Sequence, residues 1–462
     1  MNFRFRFFIF SVFAIPFFLF QFGCSKLEPS SIAILDTNAF EPLQFDEPFA
    51  QVPATEDIVM YEINERAFSV SGTLNGILPR LDSLKALNIN TIWLMPIHPI
   101  GVQNSINSPY CVKNYFEVNP EFGTLEDLRN LVHEAHKRGM AVIIDWVANH
   151  TSFDNPWTQD SSWYVLNSSG NISYPPGTNW RDVAELNFNN SAMRLEMIKA
   201  MKYWILTANI DGYRCDAADY VPFSFWKQAI DSLKKMPNRK LILLAEGGRS
   251  DHFTAGFQMN FGWSFYEKVL NVFKYNHYAY GIYSTHIAET GNLAANAYKL
   301  RFTSNHDKCA YDNTPLVNYG GKRGSMAAFV ITSFMGGIPL IYNGQEVGCP
   351  NKLPITSKLP INWTTNPDML LEYKFLMDFR HNHPAMRYGN LESFSDKDFV
   401  AFKRSLGHDQ VFVLVNTGNS PEHYTVPSSI QNSTWQNFMT GAMETFGNNM
   451  LLNPYEYRIY HN

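Results

Sequence analysis

Eight short apolar segments recur along the chain, and most of them are separated by stretches with helical periodicity. In order they are IVMYEI (58–63), NTIWLMP (90–96), MAVIIDWV (140–147), DGYRCD (211–216), KLILLAE (240–246), GFQMN (256–260), YKLRFTS (298–304) and IPLIYN (338–343). Strands that alternate with helices predict a parallel sheet, and eight such units favour an α/β fold closed into a (β/α)8 TIM barrel. Active residues of such a barrel lie at the carboxyl ends of the strands.

Polar side chains stand at several of these strand ends. In the segment GYRCDAAD, Arg214 and Asp216 are two positions apart and therefore point to the same face of a strand. A guanidinium in that position keeps a carboxylate ionised, as a nucleophilic Asp requires. A purely structural Arg–Asp pair would give the same pattern. Two further acidic strand ends, Glu246 and Asp307, favour a catalytic site.

The segments outside the strands predict the domain organisation. We expect the barrel to span residues 53–386, with a short inserted domain over 151–187 after the third strand, where Pro, Gly, Ser and Trp are frequent. From about residue 387 the apolar period changes to two, as in DFVAFKRS and QVFVLVN. This alternation predicts a C-terminal β-sandwich domain over residues 387–462.

The N-terminus has the pattern of an export signal. Arg4 and Arg6 precede an apolar run that ends at Phe20, and Gly23–Cys24 resembles a bacterial lipoprotein cleavage site. We therefore expect residues 1–24 to be a signal segment, Cys24 to carry the lipid, and residues 25–52 to be a tether. An uncleaved membrane anchor is the alternative. The prediction is secretion across the inner membrane of a bacterium and lipid anchoring at the outer membrane, on its periplasmic or surface side.

The net charge and the aromatic content indicate which class of ligand the protein binds. A formal net charge of -5 gives no basic field for nucleic acid, and an aromatic content of 15% suits a neutral polyhydroxylated ligand whose rings stack on aromatic side chains. Many of these aromatic residues would fill the core instead. The cysteines beyond Cys24 contain no CxxC motif, which argues against a zinc site and leaves their pairing open: Cys111, Cys215, Cys309 and Cys349.

Several segments, taken in order, resemble the α-amylase family of retaining α-glucan hydrolases. They include GILPRLDSLKALNINTIWLMPI, YFEVNPEFGTLEDLRNLVHEAHKRGMAVIIDWVANHTS, AELNF, GYRCDAAD, LLAEGG, FTSNHD and GIPLIYNGQEVG. The resemblance covers about residues 56–462. It implies that Asp216 is the nucleophile, Glu246 the general acid/base and Asp307 the stabiliser of the transition state.

The resemblance also implies a set of residues around the cleaved sugar. It assigns substrate binding to Tyr61, Tyr110, His150, Arg214 and His306, with Asp145 in support. Asn149 matches the residue that binds calcium in many members, so calcium is the one cofactor that the resemblance suggests, and no organic cofactor is expected.

Three positions depart from the family pattern. Many members carry a Lys-His pair at the third and fourth positions after the nucleophile, where this chain has Asp219 and Tyr220. This exchange puts the usual contacts to the leaving-group sugar in doubt. Glu185 stands in AELNF where an Asp is commoner.

We therefore expect a retaining hydrolase of α-1,4-glucosidic bonds in starch-type glucans or maltooligosaccharides. An α-1,6-acting or transglycosylating member, and a non-catalytic glycan-binding relative, are the alternatives. The short insertion and the limited room between Cys24 and the barrel predict an open cleft, a monomer and cleavage of internal bonds.

Overall fold

The computed structural model describes residues 42–462. The predicted signal segment, Cys24 and the first part of the tether lie outside the described residues. Within residues 42–462, none of the helices combines the length and the apolar character that a bilayer crossing requires.

The described end of the predicted tether is part of the folded unit. The Phe45 amide donates a hydrogen bond to the Leu206 carbonyl at 2.7 Å, and the Phe49 ring stacks on His136 with centroids 4.3 Å apart. Residues 45–52 are therefore packed on the barrel, which corrects the expectation that the tether extends to residue 52.

The strands confirm the predicted barrel. Strands β1 to β10 are Met60–Ile63, Thr91–Leu94, Ala141–Val147, His150–Ser152, Val183–Glu185, Gly212–Asp216, Ile242–Ala245, Met259–Phe261, Tyr298–Arg301 and Ile338–Tyr342. Eight of them close into a parallel barrel in the order β1-β10-β9-β8-β7-β6-β3-β2. The remaining two, β4 and β5, form an antiparallel pair within the segment predicted as the insertion.

Strand register brings the predicted site residues side by side. Asp145 on β3 is paired with Arg214 on β6, and Val147 with Asp216. Cys215 is in turn paired with Ala245, which directly precedes Glu246 at the end of β7. Because all these strands are parallel, their carboxyl ends meet at one face of the barrel.

The barrel strands are buried on both faces. Alternate residues divide between an inner core and an outer layer against the helices, so that Met60 lies in the inner cluster and Tyr61 in the outer one. Other inner residues are Trp93, Ile143, Leu244, Met259, Leu300 and Leu340. This burial explains why the strands are nearly continuous apolar runs.

Helices surround the barrel. Helices α1 to α12 are Glu65–Phe68, Leu81–Lys85, Leu125–Lys137, Ser191–Thr207, Phe223–Leu233, Asp251–Ala255, Trp263–Tyr275, Tyr280–Thr290, Pro315–Asn318, Gly321–Phe334, Pro367–Asn382 and Ala385–Tyr388. Helix α3 begins with a capping box, in which Thr124 Oγ1 accepts from the Asp127 amide at 3.2 Å and Asp127 Oδ2 accepts from the Thr124 amide at 2.8 Å.

Short helical turns connect the strands and helices of the barrel part of the chain. The 3-10 turns are Thr55–Asp57, Leu74–Gly76, Leu78–Arg80, Pro156–Gln159, Ser161–Trp163, Ala218–Tyr220 and Gln345–Val347. A π-helical turn, Lys308–Asp312, follows β9 directly after Asp307.

The C-terminal domain is all-β, as its sequence period predicts. Strands β11 to β18 are Asn390–Ser393, Phe399–Leu406, Asp409–Asn416, Glu422–Thr425, Thr434–Asn437, Met443–Thr445, Asn449–Leu452 and Tyr457–His461. A six-stranded sheet, β11-β12-β13-β18-β15-β16, and the pair β14-β17 contribute to one core that includes Phe412, Tyr424, Leu452 and Tyr460.

The four cysteines in the described part of the chain are buried free thiols: Cys111, Cys215, Cys309 and Cys349.

Candidate active site

A cavity of about 480 Å³ opens at the carboxyl end of the barrel strands. The three predicted catalytic carboxylates line it, together with Tyr110, His150 and His306. The other lining residues are Ile106, Ser108, Asn179, Trp180, Asp182, Val183, Ala217, Tyr311 and Ile355. The fold therefore brings residues from the ends of β3, β6, β7 and β9 to one pocket.

Arg214 is the central cation of this pocket. Its buried guanidinium contacts Asp145 Oδ1 at 2.7 Å and Asp216 Oδ1 at 2.8 Å through Nη1, and Glu246 Oε2 at 2.9 Å through Nη2. The sequence predicted only the pair with Asp216. Because one guanidinium holds two of the predicted catalytic carboxylates, it fixes them against the same wall of the pocket.

Burial and charge set different pKa values for the two carboxyls. Burial raises the pKa of Asp216 to about 6, and Arg214 acts against this rise. Burial also raises the pKa of Glu246 to about 7, and the negative charges of Asp216 and Asp307 add to the rise. The order of the two values suits an ionised Asp216 and a protonated Glu246 near neutral pH.

Backbone groups hold Glu246 in place. The Ala217 amide donates to Glu246 Oε2 at 2.8 Å, and the Ala218 amide donates to the Glu246 carbonyl at 2.9 Å. Ala217 adopts a left-handed conformation with a φ of 44°, which is uncommon for a residue other than glycine. The turn after the predicted nucleophile thus directs an N–H group at the predicted acid/base residue.

Asp219 takes part in the same turn. Its carboxylate accepts from the Gly248 amide at 2.9 Å and from the Arg249 amide at 3.2 Å, so it binds the loop that follows Glu246. A Cβ atom on Gly247 would lie 2.3 Å from the Asp219 carboxylate, which explains the glycine there. In this chain the position of the family's lysine therefore joins two loops of the protein.

Tyr110 and His306 form one wall of the pocket. Their rings stack with centroids 5.3 Å apart, and the Tyr110 hydroxyl lies 2.7 Å from His306 Nε2. The same hydroxyl donates to Asp145 Oδ2 at 3.1 Å. Asp307 Oδ1 lies 3.4 Å from His306 Nε2, and the Asp307 side chain is 38% exposed, so it faces the space where a ligand would enter.

His150 is a neutral histidine of the pocket. Burial lowers the pKa of His150 to about 4, so the imidazole is neutral near pH 7. A neutral imidazole can both donate and accept a hydrogen bond, as recognition of a sugar hydroxyl requires.

Tyr61 does not lie on the pocket surface, in contrast to the prediction. It is fully buried, and its hydroxyl donates to Glu346 Oε1 at 2.6 Å. The neighbouring Glu62 faces the barrel interior instead, since successive side chains of a strand alternate between its faces. Tyr61 thus packs in the core between the barrel strands and the surrounding helices.

Asn149 is the residue predicted to bind calcium. Its Nδ2 lies 3.3 Å from His150 Nδ1, and its carbonyl accepts from the Leu186 amide at 3.1 Å. Calcium takes about six to eight oxygen ligands. Across residues 42–462 no group of three or more His, Cys, Asp or Glu side chains could hold a metal ion. Calcium also binds amide and backbone carbonyl oxygens, so calcium binding at Asn149 stays a prediction.

The structure adds pocket residues that the sequence analysis did not identify. Trp180 and Asp182 come from the insertion, and Tyr311 comes from the π-helical turn. The Trp180 ring packs against Tyr220, with centroids 5.5 Å apart. The sequence of the insertion shows no strand or helix period, so its pattern does not single out any one of its aromatic residues.

Known proteins share both the sequence pattern and the fold. A family model described as the alpha-amylase catalytic domain matches residues 45–182 and 160–409. Alpha-amylase 2 of Dictyoglomus thermophilum is 28% identical over 411 residues, which cover 83% of this chain and 70% of the relative. An intracellular maltogenic amylase of Bacillus subtilis is 27% identical over 396 residues, which cover 77% of this chain and 63% of the relative.

A solved structure agrees in fold. The noncanonic maltogenic alpha-amylase of Thermotoga neapolitana superposes with a TM-score of 0.78 at 23% sequence identity, covering 89% of this chain and 99% of that chain. The family model spans the barrel and enters the C-terminal domain. With the barrel, the pocket and these matches together, the chain belongs to the alpha-amylase family of glycoside hydrolases.

Proposed function

We propose that this enzyme hydrolyses α-1,4-glucosidic bonds of starch-type glucans with retention of configuration. The observation that carries the proposal is the shared contact of Arg214 with Asp216 and Glu246, combined with the higher pKa of Glu246. Retaining hydrolysis requires one ionised and one protonated carboxyl close together beside the scissile bond.

The first step forms a covalent intermediate. Asp216 attacks the anomeric carbon while Glu246 gives its proton to the glycosidic oxygen, so the leaving sugar departs as a neutral alcohol. Arg214 keeps Asp216 oriented, and the Ala217 amide keeps Glu246 in reach. In the second step Glu246 takes a proton from a water molecule while the water oxygen attacks the anomeric carbon from the face that the leaving group had occupied. The bond between that carbon and Asp216 breaks, which releases the sugar and regenerates the Asp216 carboxylate.

The remaining pocket residues bind the sugar. The stacked pair of Tyr110 and His306 offers an aromatic face, while His150 and Asp307 offer hydrogen-bonding groups for hydroxyls. The excess of carboxylates over cations suits a transition state with oxocarbenium character.

Product stereochemistry tests the retaining mechanism. Proton NMR during the first minutes of maltoheptaose hydrolysis should show the α anomer first, followed by mutarotation. Initial release of the β anomer would exclude double displacement through Asp216. Starch, pullulan and maltotriose, digested in parallel and sized, test the linkage.

The rim of the pocket favours long substrates. Exposed Ile106 and Tyr311 line the cavity, and the Trp180 ring, which also lines it, packs against the exposed Tyr220 ring. We therefore propose that a glucan chain lies across the cleft of a monomeric enzyme and is cut at internal bonds. An end-blocked maltoheptaoside should be cleaved about as fast as the free one, whereas a pocket that needs a free chain end would spare it.

A second candidate is the release of short maltooligosaccharides or their transfer to another sugar. The similarity to a maltogenic amylase and the replacement of the family's Lys-His pair by Asp219 and Tyr220 favour it. Maltotriose products longer than the substrate would identify transfer.

We also propose that the enzyme acts outside the cytoplasm, held by a lipid on Cys24. The basic residues Arg4 and Arg6, the apolar run and Gly23–Cys24 support this proposal. Cys24→Ala should move the enzyme from the membrane fraction to the soluble fraction of the producing bacterium. An unchanged distribution would favour an uncleaved anchor.

A further inference from the structure

Glu62 lies at the end of β1, directly behind His306. It is fully buried, and its Oε1 contacts both His306 Nδ1, at very short range, and the His306 backbone amide at 3.4 Å. We propose that Glu62 is a positioning residue that holds His306 as a doubly protonated imidazolium against the sugar-binding wall. This inference rests on the proposed function, because it assigns to His306 a fixed charge beside the reacting sugar.

The proton positions follow from the partners of Asp145. Asp145 Oδ2 accepts from Trp93 Nε1 at 3.2 Å, and Asp145 Oδ1 accepts from Arg214 at 2.7 Å, so Asp145 acts as an acceptor throughout. The Tyr110 hydroxyl, 3.1 Å from Asp145 Oδ2, therefore donates its hydrogen there. The Tyr110 oxygen is then free to accept from His306 Nε2, which lies 2.7 Å away.

Both nitrogens of His306 consequently carry a hydrogen. Nε2 donates to Tyr110, and Nδ1 donates to the Glu62 carboxylate. The protonation of each imidazole nitrogen is set by its partner, and two acceptors together select the cation. With Glu62 ionised, a neutral His306 would leave one of these two contacts without a hydrogen, and the His306 amide, which donates to the same Glu62 oxygen, favours the ionised form.

The charges around His306 agree with this arrangement. The groups that face it are Glu62, Asp307, Asp145, Tyr110 and Arg214. Burial acts to lower the pKa of His306, and Arg214 does so too, but Asp307 and Glu62 outweigh both and raise the pKa to about 9. Burial raises the pKa of Glu62, and the His306 cation opposes that rise.

The cation has two consequences for the site. It orients Tyr110, the ring that stacks on His306, by taking the Tyr110 oxygen as acceptor. It also lowers the pKa of Asp145, whose charge state is linked through Arg214 to that of Asp216. Loss of the Glu62 charge should therefore disturb both the stacked rings of Tyr110 and His306 and the ionisation of Asp216.

Glu62→Gln tests the inference, because glutamine keeps the shape and the acceptor oxygen but removes the charge. We expect kcat/KM on maltoheptaose at pH 7 to fall at least tenfold. We also expect the acidic limb of the pH profile to move to higher pH, since the carboxylates lose a nearby cation. A packing role for Glu62 would leave that limb in place.

Asp211→Asn is the matched control. Asp211 is also a buried carboxylate paired with an imidazole, with its Oδ2 2.8 Å from His136 Nε2, but it lies at the amino-terminal end of β6. This variant should leave kcat/KM and the pH profile unchanged. If Glu62→Gln behaved in the same way as this control, the inference would be wrong.

A direct measurement on the unaltered enzyme covers the case in which Glu62→Gln does not fold. In protein labelled with 13C and 15N at histidine, the His306 ring signals, assigned by their loss in His306→Gln, should remain those of an imidazolium from pH 6 to pH 8. Ring signals of a neutral tautomer at pH 7 would overturn the inference. Failure of the enzyme to cleave any α-glucan would instead contradict the proposed function, because the NMR result does not depend on turnover.

Discussion

Each end of the barrel contains a buried carboxylate that contacts an imidazole, and the two pairs serve different purposes. At the carboxyl end Glu62 is paired with His306, and at the amino end Asp211 is paired with His136. Asp211 Oδ2 also accepts from the Val142 amide at 2.7 Å, so Asp211 connects both α3 and β3 to the start of β6. Glu62 Oε2, in contrast, is buried and has no hydrogen-bond partner.

The two ends differ in how far their buried charges are balanced. At the amino end the Asp211 carboxylate is satisfied by hydrogen bonds to His136 and to the Val142 amide. At the carboxyl end Arg214 and His306 face a larger number of carboxylates: Glu62, Asp145, Asp216, Glu246 and Asp307. Such an excess of buried negative charge costs stability, and it is suited to a substrate that becomes positive in the transition state.

The greatest loss of activity is expected from substitutions at the carboxyl end of the barrel. Asp216→Asn and Glu246→Gln should each lower kcat by several orders of magnitude, because the first removes the nucleophile and the second the proton donor. Steady-state kinetics on maltoheptaose measure the loss. The melting temperature should be unchanged or raised, since a buried like-charge contact is relieved in each case. Retention of more than a tenth of kcat would contradict the assignment.

The pH dependence should follow the same end of the barrel. Asp216 acts as an anion, so kcat/KM should rise as pH increases through about 6, and Glu246 acts as an acid, so kcat/KM should fall as pH increases through about 7. The result is a narrow bell with roughly tenfold loss per pH unit outside it. A profile that stays flat from pH 4 to pH 9 would show that these carboxyls do not control the rate.

Asp145→Asn should have a smaller effect. Asp145 is fully buried and orients both Arg214 and Tyr110, but it does not line the cavity. Misorientation of Arg214 should lower kcat by roughly tenfold to hundredfold, with the nucleophile still present. A kcat as low as that of Asp216→Asn would instead indicate direct participation in the chemistry.

The smallest expected effect on activity belongs to the amino end. Asp211→Asn should lower the free energy of unfolding by about 1 to 3 kcal/mol, because the His136 imidazole and the buried Val142 amide lose a charged acceptor. Denaturant unfolding measures this change, and kcat should stay within twofold of that of the unaltered enzyme. A large loss of activity without destabilisation would remove the functional difference between the two ends.

The barrel and the positions of the three carboxylates at its strand ends could be predicted from the sequence alone. Apolar runs such as MAVIIDWV and KLILLAE are local signals, since strand burial leaves its mark on consecutive residues. Asp216, Glu246 and Asp307 stand at or just after such runs, so their meeting in one pocket followed from the strand ends of a barrel. The pairing of Arg214 with Asp216 was also local, because the two residues are two positions apart on one strand.

The contacts that hold those carboxylates in place could not be predicted from the sequence, because they depend on the closed barrel. The contact of Glu62 with His306 joins residues 244 positions apart, and the choice between Tyr61 and Glu62 as the side chain that faces the site depends on strand register, which barrel closure fixes. Besides Asp216, the Arg214 guanidinium contacts Asp145 and Glu246, which lie at the ends of the two neighbouring strands. Trp180 enters the pocket from an insertion without regular period. Local sequence carries no record of such long-range contacts, because they arise only when the strands close into a barrel.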